Sequence, residues 1–99
     1  MMKTLLLMLG LTMLLSAADG RTLYQKCAAC HGQKGEKKAL GKSQIIAGWK
    51  EAKTLEALKG YKAGKRNVAG MGALMKGQVV AMSDADLKAL SKYISTLKK

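Results

Sequence analysis

The chain has 99 residues, which is enough for one small domain and too few for separate catalytic and binding domains. It carries 18 Lys and Arg residues against 6 Asp and Glu, a formal net charge of +12 at pH 7, which points to an anionic partner. With no Phe, one Trp and three Tyr, its side chains alone would make a thin core. We therefore expect a large apolar cofactor to complete that core.

The first 18 residues are predicted to be a secretory signal peptide, followed by a single domain over residues 19–99. One positive charge precedes an apolar run at 5–15, and small residues surround a cleavage site near Ala17 or Ala18. The run is shorter than the roughly 20 residues of a membrane-spanning helix, although an uncleaved anchor stays open as an alternative. Export predicts a periplasmic location and makes nucleic acid the least suitable partner.

The domain is predicted to begin with a helix from Asp19 to His31, for which Asp19 is a candidate N-cap. One stripe of this helix, at positions i, i+4 and i+7, holds Leu23, Cys27 and Cys30. The following segment, 32–48, mixes glycine and lysine around a brief apolar patch, so it is predicted to be a loop.

A second, shorter helix is predicted over residues 50–63, where Gly64 is a natural C-terminal cap. Its apolar stripe is expected at Ala52, Leu55, Leu58 and Tyr61. The glycine-rich segment 64–78 is again predicted to be a loop.

The last helix has the clearest start signal in the sequence. Ser83 as N-cap and Asp86 three residues later form an aspartate version of the capping box, and Met82 with Leu87 forms a hydrophobic staple. The apolar stripe of the helix consists of Leu87, Leu90, Ile94 and Leu97. Because no segment shows strand-like alternation, the fold is predicted to be all-α, with long loops around a bound group.

Residues 27–31 read CAACH, a Cys-x-x-Cys-His string that is typical of covalent haem attachment. Two thiols one helical turn apart can reach the two vinyl groups of a porphyrin, and the imidazole of His31 then lies under the iron. A disulfide between Cys27 and Cys30 would close a very small loop and restrain little of the unfolded chain. The motif therefore predicts one covalently bound haem c, with its iron, on Cys27, Cys30 and His31.

Three other interpretations of the motif compete with haem attachment. A dithiol redox motif needs a βαβ context that this sequence lacks, and a zinc site needs four ligands where the domain has two Cys and one His. Copper stays open, because Cys, His and Met are soft ligands that suit it.

A second axial ligand would distinguish electron transfer from ligand binding at a five-coordinate iron. The domain offers three Met downstream of His31, namely Met71, Met75 and Met82. Met82 is explained as the staple of the last helix. Met71 and Met75 therefore both remain candidates for the second axial ligand.

The motifs DGRTLYQKCAACHG, LKGYKAG and SDADLKALSKYI together resemble class I cytochrome c of the short bacterial single-haem type, over the whole domain. The resemblance implies three to four helices and loops wrapped around one covalent haem. It implies Met75 as sixth ligand, eight residues before Ser83, with Met71 as the alternative. It also implies that the first and last helices cross where Gly20 meets Tyr93.

One departure from this family is the complete absence of Pro, which the family often has after the haem motif. A backbone carbonyl near Ala39 or Leu40 is expected instead to accept a hydrogen bond from His31. Haem propionates are expected to meet Trp49, Arg66 or Tyr61. The apolar crevice is expected to be lined by Leu23, Leu74, Ile45, Leu87, Leu90 and Ile94.

The resemblance implies an electron carrier and not an enzyme, a monomer that serves a quinol-oxidising cytochrome complex and a haem-copper terminal oxidase. Acidic faces of these membrane complexes would be met by Lys26, Lys34, Lys37, Lys38, Lys42 and Lys76. Two other functions stay open at this point. One is a periplasmic copper carrier, and the other is an enzyme or gas sensor with five-coordinate haem.

Overall fold

The computed structural model describes residues 19–98, and the predicted signal peptide lies outside them. Four α-helices follow in chain order within this range: α1 (Gly20–His31), α2 (Glu51–Lys62), α3 (Gly72–Val79) and α4 (Asp84–Ser95). A 3-10 turn, Ala39–Gly41, interrupts the first long loop. The described part of the chain contains no strand, which confirms the all-α prediction. None of its helices is long and apolar enough to cross a membrane.

Helices α1 and α4 pack against each other, and α2 packs against both α3 and α4. The core between them is small and includes Tyr24, Leu58, Val79, Leu87 and Leu90. The ring of Tyr24 packs on that of Tyr93, with centroids 5.6 Å apart, so the two helices cross on an aromatic pair. Leu87, Leu90 and Ile94 are all buried, as the stripe predicts, and Leu97 is half-buried.

The start of α1 is placed correctly by the sequence, but its cap differs. Asp19 is the N-cap residue, yet its side chain accepts no hydrogen bond from the helix. The Asp19 backbone carbonyl accepts the N–H of Leu23 at 3.0 Å instead. The side-chain cap prediction is therefore wrong, because the carboxylate of this exposed residue stays in solvent.

Helix α2 ends as predicted but buries a different stripe. Gly64, with φ +74°, follows the helix, and its N–H bonds to Tyr61 while the Lys65 N–H bonds to the Gly60 carbonyl, which is a Schellman motif. The expected stripe is wrong at Ala52, which is exposed. The face turned inward carries Thr54, Ala57, Leu58 and Tyr61, which follow an i, i+3, i+4, i+7 spacing that begins two positions after Ala52.

The prediction of a loop over 64–78 is wrong in its second half, where α3 forms. Glycine at both ends of the segment signals a loop, but the helix is stabilised by what it packs against. The N–H of Gly72 at its start donates to Oδ1 of Asn67 at 2.9 Å, and Val79 at its end is fully buried in the core.

The capping box of α4 is confirmed in both directions. The Asp86 N–H donates to Ser83 Oγ at 3.0 Å, and the Ser83 N–H donates to Oδ2 of Asp86 at 3.1 Å. Met82 and Leu87 both belong to the buried cluster at this end of the helix. Their burial in one cluster agrees with the predicted staple.

Candidate functional site

A partly enclosed cavity of about 400 Å³ lies between the helices and is lined mainly by apolar side chains. Residues from all four helices and from the connecting loops contribute to its wall. Of the residues that the sequence singled out, those that line it are Lys26, Cys27, Cys30, His31, Ala39, Trp49, Leu58, Tyr61, Arg66, Met71, Leu74, Met75, Leu90 and Ile94. A volume and lining of this kind are typical of a site for an apolar cofactor.

The CAACH motif forms the last turns of α1 and faces this cavity. Cys27 is half-buried and Cys30 is exposed, and both are free thiols. Burial raises the pKa of the Cys27 thiol to about 11, so without a bound group this cysteine is neutral at pH 7. The helical turn between the two sulfur atoms keeps both at one side of the cavity.

His31 is the last residue of α1 and is buried against the cavity wall. Burial lowers the pKa of its imidazole, which favours the neutral form that binds a metal. Nδ1 of His31 is shielded from solvent and has no hydrogen-bond partner.

The expected carbonyl partner of His31 near Ala39 or Leu40 is not found. The Ala39 carbonyl already accepts the N–H groups of Lys42 and Ser43, which close the 3-10 turn. Leu40 lies on the outside of the same turn and is 62% exposed. The Ala39 carbonyl, which was expected to accept a hydrogen bond from the imidazole, therefore closes the 3-10 turn instead.

Met71 and Met75 both line the cavity and are half-buried, whereas Met82 is buried in the helix core. Met71 is the N-cap residue of α3, and Met75 lies one turn into the helix. The spacing of four residues places both thioethers on one side of α3, which is the side that faces the cavity. Both candidate sulfur ligands are therefore available at the same wall.

Polar groups at the cavity wall include two that lack a partner. Arg66 packs its guanidinium over the ring of Tyr61, 5.3 Å from the centroid, and its Nε is buried without a hydrogen bond. The hydroxyl of Thr54 is also buried without a partner, and sequence reasoning missed this residue. Thr54 lies three, four and seven positions before Ala57, Leu58 and Tyr61. This helical spacing is the sequence signal that would have placed it on the inward face of α2.

The list of crevice residues expected from the sequence is half right. Leu74, Leu90 and Ile94 line the cavity, but Leu23, Ile45 and Leu87 do not. Leu87 is fully buried where the helices meet, and Leu23 packs on the outside of that core. At the remaining position the chain turns Ile46 inward in place of Ile45.

Within residues 19–98, no group of three or more His, Cys, Asp or Glu side chains is gathered to hold a metal ion. This finding disfavours a zinc site built from the motif. The buried histidine, the two thiols at one side and the apolar wall instead fit a porphyrin that is held covalently.

The comparison with known proteins supports the same group. A family model described as Cytochrome c matches residues 17–98. The chain belongs to the cytochrome c family.

Curated members of this family cover most of the chain. Cytochrome c-553 of Helicobacter pylori (strain ATCC 700392 / 26695) is 48% identical over 84 residues, which is 85% of this chain and 83% of the relative. Cytochrome c-553 of Nitratidesulfovibrio vulgaris (strain DSM 19637 / Miyazaki F) is 38% identical over 81 residues, 82% of this chain and 78% of that protein. Cytochrome c-554(547) of Halothiobacillus neapolitanus is 34% identical over 90 residues, 83% of this chain and 97% of its own length.

Family membership and the Cys-x-x-Cys-His spacing together show a small class I cytochrome c with one covalently bound haem c. This cytochrome is a small haem c electron carrier, and the copper interpretation of the motif is set aside. The cavity residues fit the group, because the motif, the two candidate methionines and the apolar wall all meet at one site.

Proposed function

We propose that this cytochrome is an exported, periplasmic carrier that shuttles one electron between a quinol-oxidising cytochrome complex and a haem-copper terminal oxidase. The observation that carries the proposal is the meeting of the CAACH turn of α1 and the Met-bearing side of α3 at one apolar cavity. With one candidate ligand on α1 and another on α3, the site would suit a six-coordinate iron that transfers electrons without exchanging ligands.

Four side chains hold the haem in this proposal. Cys27 and Cys30 would form the thioethers, and His31 and Met75 would supply the nitrogen and sulfur ligands of the iron. Because Nδ1 of His31 is shielded from solvent, Nε2 is the nitrogen left for the iron. When bound, the haem supplies a single iron that alternates between the ferrous and ferric states.

Met75 is chosen over Met71 on two grounds. It lies eight residues before Ser83, the spacing that the resemblance to class I cytochromes implies. It also lies inside α3, where the helix fixes its backbone, whereas Met71 precedes the helix as its N-cap. A ligand on a regular element keeps its position through a change in iron charge with little reorganisation.

The surroundings of the site favour a high reduction potential. Apolar residues such as Leu58, Leu90 and Ile94 make up much of the cavity wall, and a low-polarity environment disfavours the additional charge of ferric iron. A Met/His ligand pair acts in the same direction. Both effects suit a carrier that passes electrons to a terminal oxidase.

Arg66 is the residue that fits a haem propionate best. Its guanidinium is always charged, lines the cavity and leaves the buried Nε without a partner, so a carboxylate there would satisfy it. Trp49 and Tyr61 line the same cavity and can each donate one hydrogen bond to a propionate.

The redox partners are proposed to present acidic faces to a basic one. The six lysines predicted for this role, Lys26, Lys34, Lys37, Lys38, Lys42 and Lys76, are all exposed. Lys26 also lines the cavity, which places at least one positive charge at its edge. Opposite charges of this kind speed up encounter far more than they strengthen the final complex.

The proposal is tested by mixing the reduced protein with bacterial membranes that contain a haem-copper oxidase and following haem oxidation by absorbance. Cyanide-sensitive oxidation at many turnovers per oxidase is expected. A reduced protein that binds carbon monoxide tightly and consumes peroxide, without passing electrons to the membranes, would contradict it. That outcome would favour an enzyme or gas sensor with five-coordinate haem.

A further inference from the structure

The short loop that follows His31, residues 32–37, is closed by its own hydrogen bonds. The Lys37 N–H donates to the His31 carbonyl at 2.9 Å, and the Gly35 N–H donates to the Gly32 carbonyl at 3.2 Å. Gly32 has φ +87°, a backbone conformation that residues with a side chain rarely adopt, so the turn favours glycine at this position. The chain has no Pro to stiffen this loop by other means.

A tyrosine hydroxyl from inside the core also reaches this loop. Tyr24, two turns before His31 on α1, donates its O–H to the Gly32 carbonyl at 2.6 Å, in a buried hydrogen bond. The side chain is 1% exposed, and burial raises its pKa to about 12, so the hydroxyl keeps its proton at neutral pH. The carbonyl of Gly32, the residue directly after the histidine, is thus tied to the helix core.

The imidazole of His31 has no such anchor of its own. Nδ1 is buried and unpartnered, whereas metal-bound histidines usually donate from their second nitrogen to a fixed acceptor. The orientation of the ring therefore depends on the backbone at residues 31 and 32 and on packing. That backbone includes a glycine, which can change its conformation more easily than any other residue.

We propose that Tyr24 is a positioning residue for the haem ligand His31, because its hydroxyl fixes the Gly32 peptide and through it the orientation of the imidazole. The inference rests on the proposed role of His31 as axial ligand. It assigns to a core tyrosine a task that the carbonyl near Ala39 or Leu40 was expected to perform. Tyr24 touches neither the iron nor the electron partner in this account.

The chain offers a matched pair of variants for the test. Tyr24→Phe removes the hydroxyl and keeps the ring that packs on Tyr93. Tyr93→Phe removes a hydroxyl from the other ring of the same pair, and within residues 19–98 that hydroxyl has no hydrogen-bond partner. A general effect of removing a tyrosine hydroxyl from this pair should therefore appear in both variants. The effect of losing the hydrogen bond to the Gly32 carbonyl should appear only in Tyr24→Phe.

The readout is taken on the haem-loaded proteins. The shifts of the haem methyl protons in the ferric NMR spectrum depend on the plane of the axial imidazole, and the reduction potential depends on how well the ligand is held. Tyr24→Phe is expected to change the spread of the methyl shifts and to move the potential, while Tyr93→Phe leaves both at wild-type values. Amide exchange at Gly35 and Lys37 should become roughly two- to tenfold faster in Tyr24→Phe alone.

Wild-type methyl shifts and potential in Tyr24→Phe would overturn the inference, even if its unfolding midpoint fell, since packing alone would then explain the tyrosine. Equal changes in both variants would overturn it as well. The wild-type spectrum separates this result from failure of the proposed function. If the spectrum of the wild-type protein showed no histidine ligand on the haem iron, the proposed function itself would be contradicted, whatever the two variants showed.

Discussion

Gly20 and Tyr93 meet so closely that a Cβ on residue 20 would lie 2.8 Å from the Cβ of Tyr93. The same Cβ would collide with the backbone carbonyl of Ala89, which cannot rotate away. Gly20→Ala is therefore expected to push α1 and α4 apart and to destabilise the folded haem protein by about 1–3 kcal/mol. Denaturant unfolding followed by circular dichroism measures the change.

A second glycine provides the control for this substitution. Gly77 lies inside α3, and a Cβ there would meet no atom within 4 Å. Gly77→Ala should stabilise the protein by about 0.5–1 kcal/mol, because alanine loses less backbone entropy in a helix. Similar losses at both positions would show that helix crossing is not what requires Gly20.

The parts of the fold that the sequence predicts well depend on neighbours along the chain. The capping box of Ser83 and Asp86 involves four consecutive residues, and the CAACH turn and the glycine stop after α2 are built from segments of five and six residues. Local hydrogen bonds and spacing are visible in a single sequence, so these elements begin and end close to where they are predicted.

The parts that the sequence does not predict depend on contacts between distant segments. Helix α3 is only eight residues long and contains Gly72 and Gly77, which weaken its intrinsic preference for helix, so its packing against α2 is needed to stabilise it. Helix α2 turns Thr54 inward and leaves Ala52 exposed because the cavity lies on the Thr54 side of the helix. The bond from Tyr24 to Gly32 needs a folded turn before the two atoms can meet.

The sixth ligand can be identified by two single substitutions. Met75→Ala should remove the weak far-red sulfur-to-iron band of the ferric protein and lower the reduction potential, because a thioether ligand stabilises ferrous iron. Met71→Ala, one helical turn earlier at the same wall, should leave both nearly unchanged. The reverse pattern would move the ligand to Met71, and a ferric wild-type protein without the band would argue against methionine ligation.

The lysines in and beside the haem-binding loops are expected to control the rate of electron transfer and not the final affinity. Lys→Glu at Lys26 or Lys76 should slow the reaction with an acidic oxidase more than the same change at Lys98, which is exposed near the chain end. Rates should also fall steeply between low and physiological ionic strength, within the roughly 10- to 1,000-fold range of electrostatic steering. A rate that does not change with salt, or equal effects at all three lysines, would show that these lysines do not steer the partner to the haem site.

The domain without haem is expected to be largely unfolded. Without haem, the apolar wall of the cavity of about 400 Å³ would be exposed to water, and the remaining core of so small a domain has little apolar area to offset chain entropy. Circular dichroism of the haem-free chain should show little helix and no cooperative thermal transition. An apoprotein as helical as the haem protein, with a sharp transition, would contradict this prediction.

The central claim is that one haem is held covalently by Cys27 and Cys30, and acid-acetone extraction of the purified protein tests it most directly. Thioether bonds survive this treatment, so the precipitated wild-type protein should stay red and its mass should include one haem. The double variant Cys27→Ala, Cys30→Ala, made in the same host with haem-attachment machinery, should lose all colour to the solvent. A wild-type protein that released its haem to acetone, or that came out colourless and bound copper, would contradict the account.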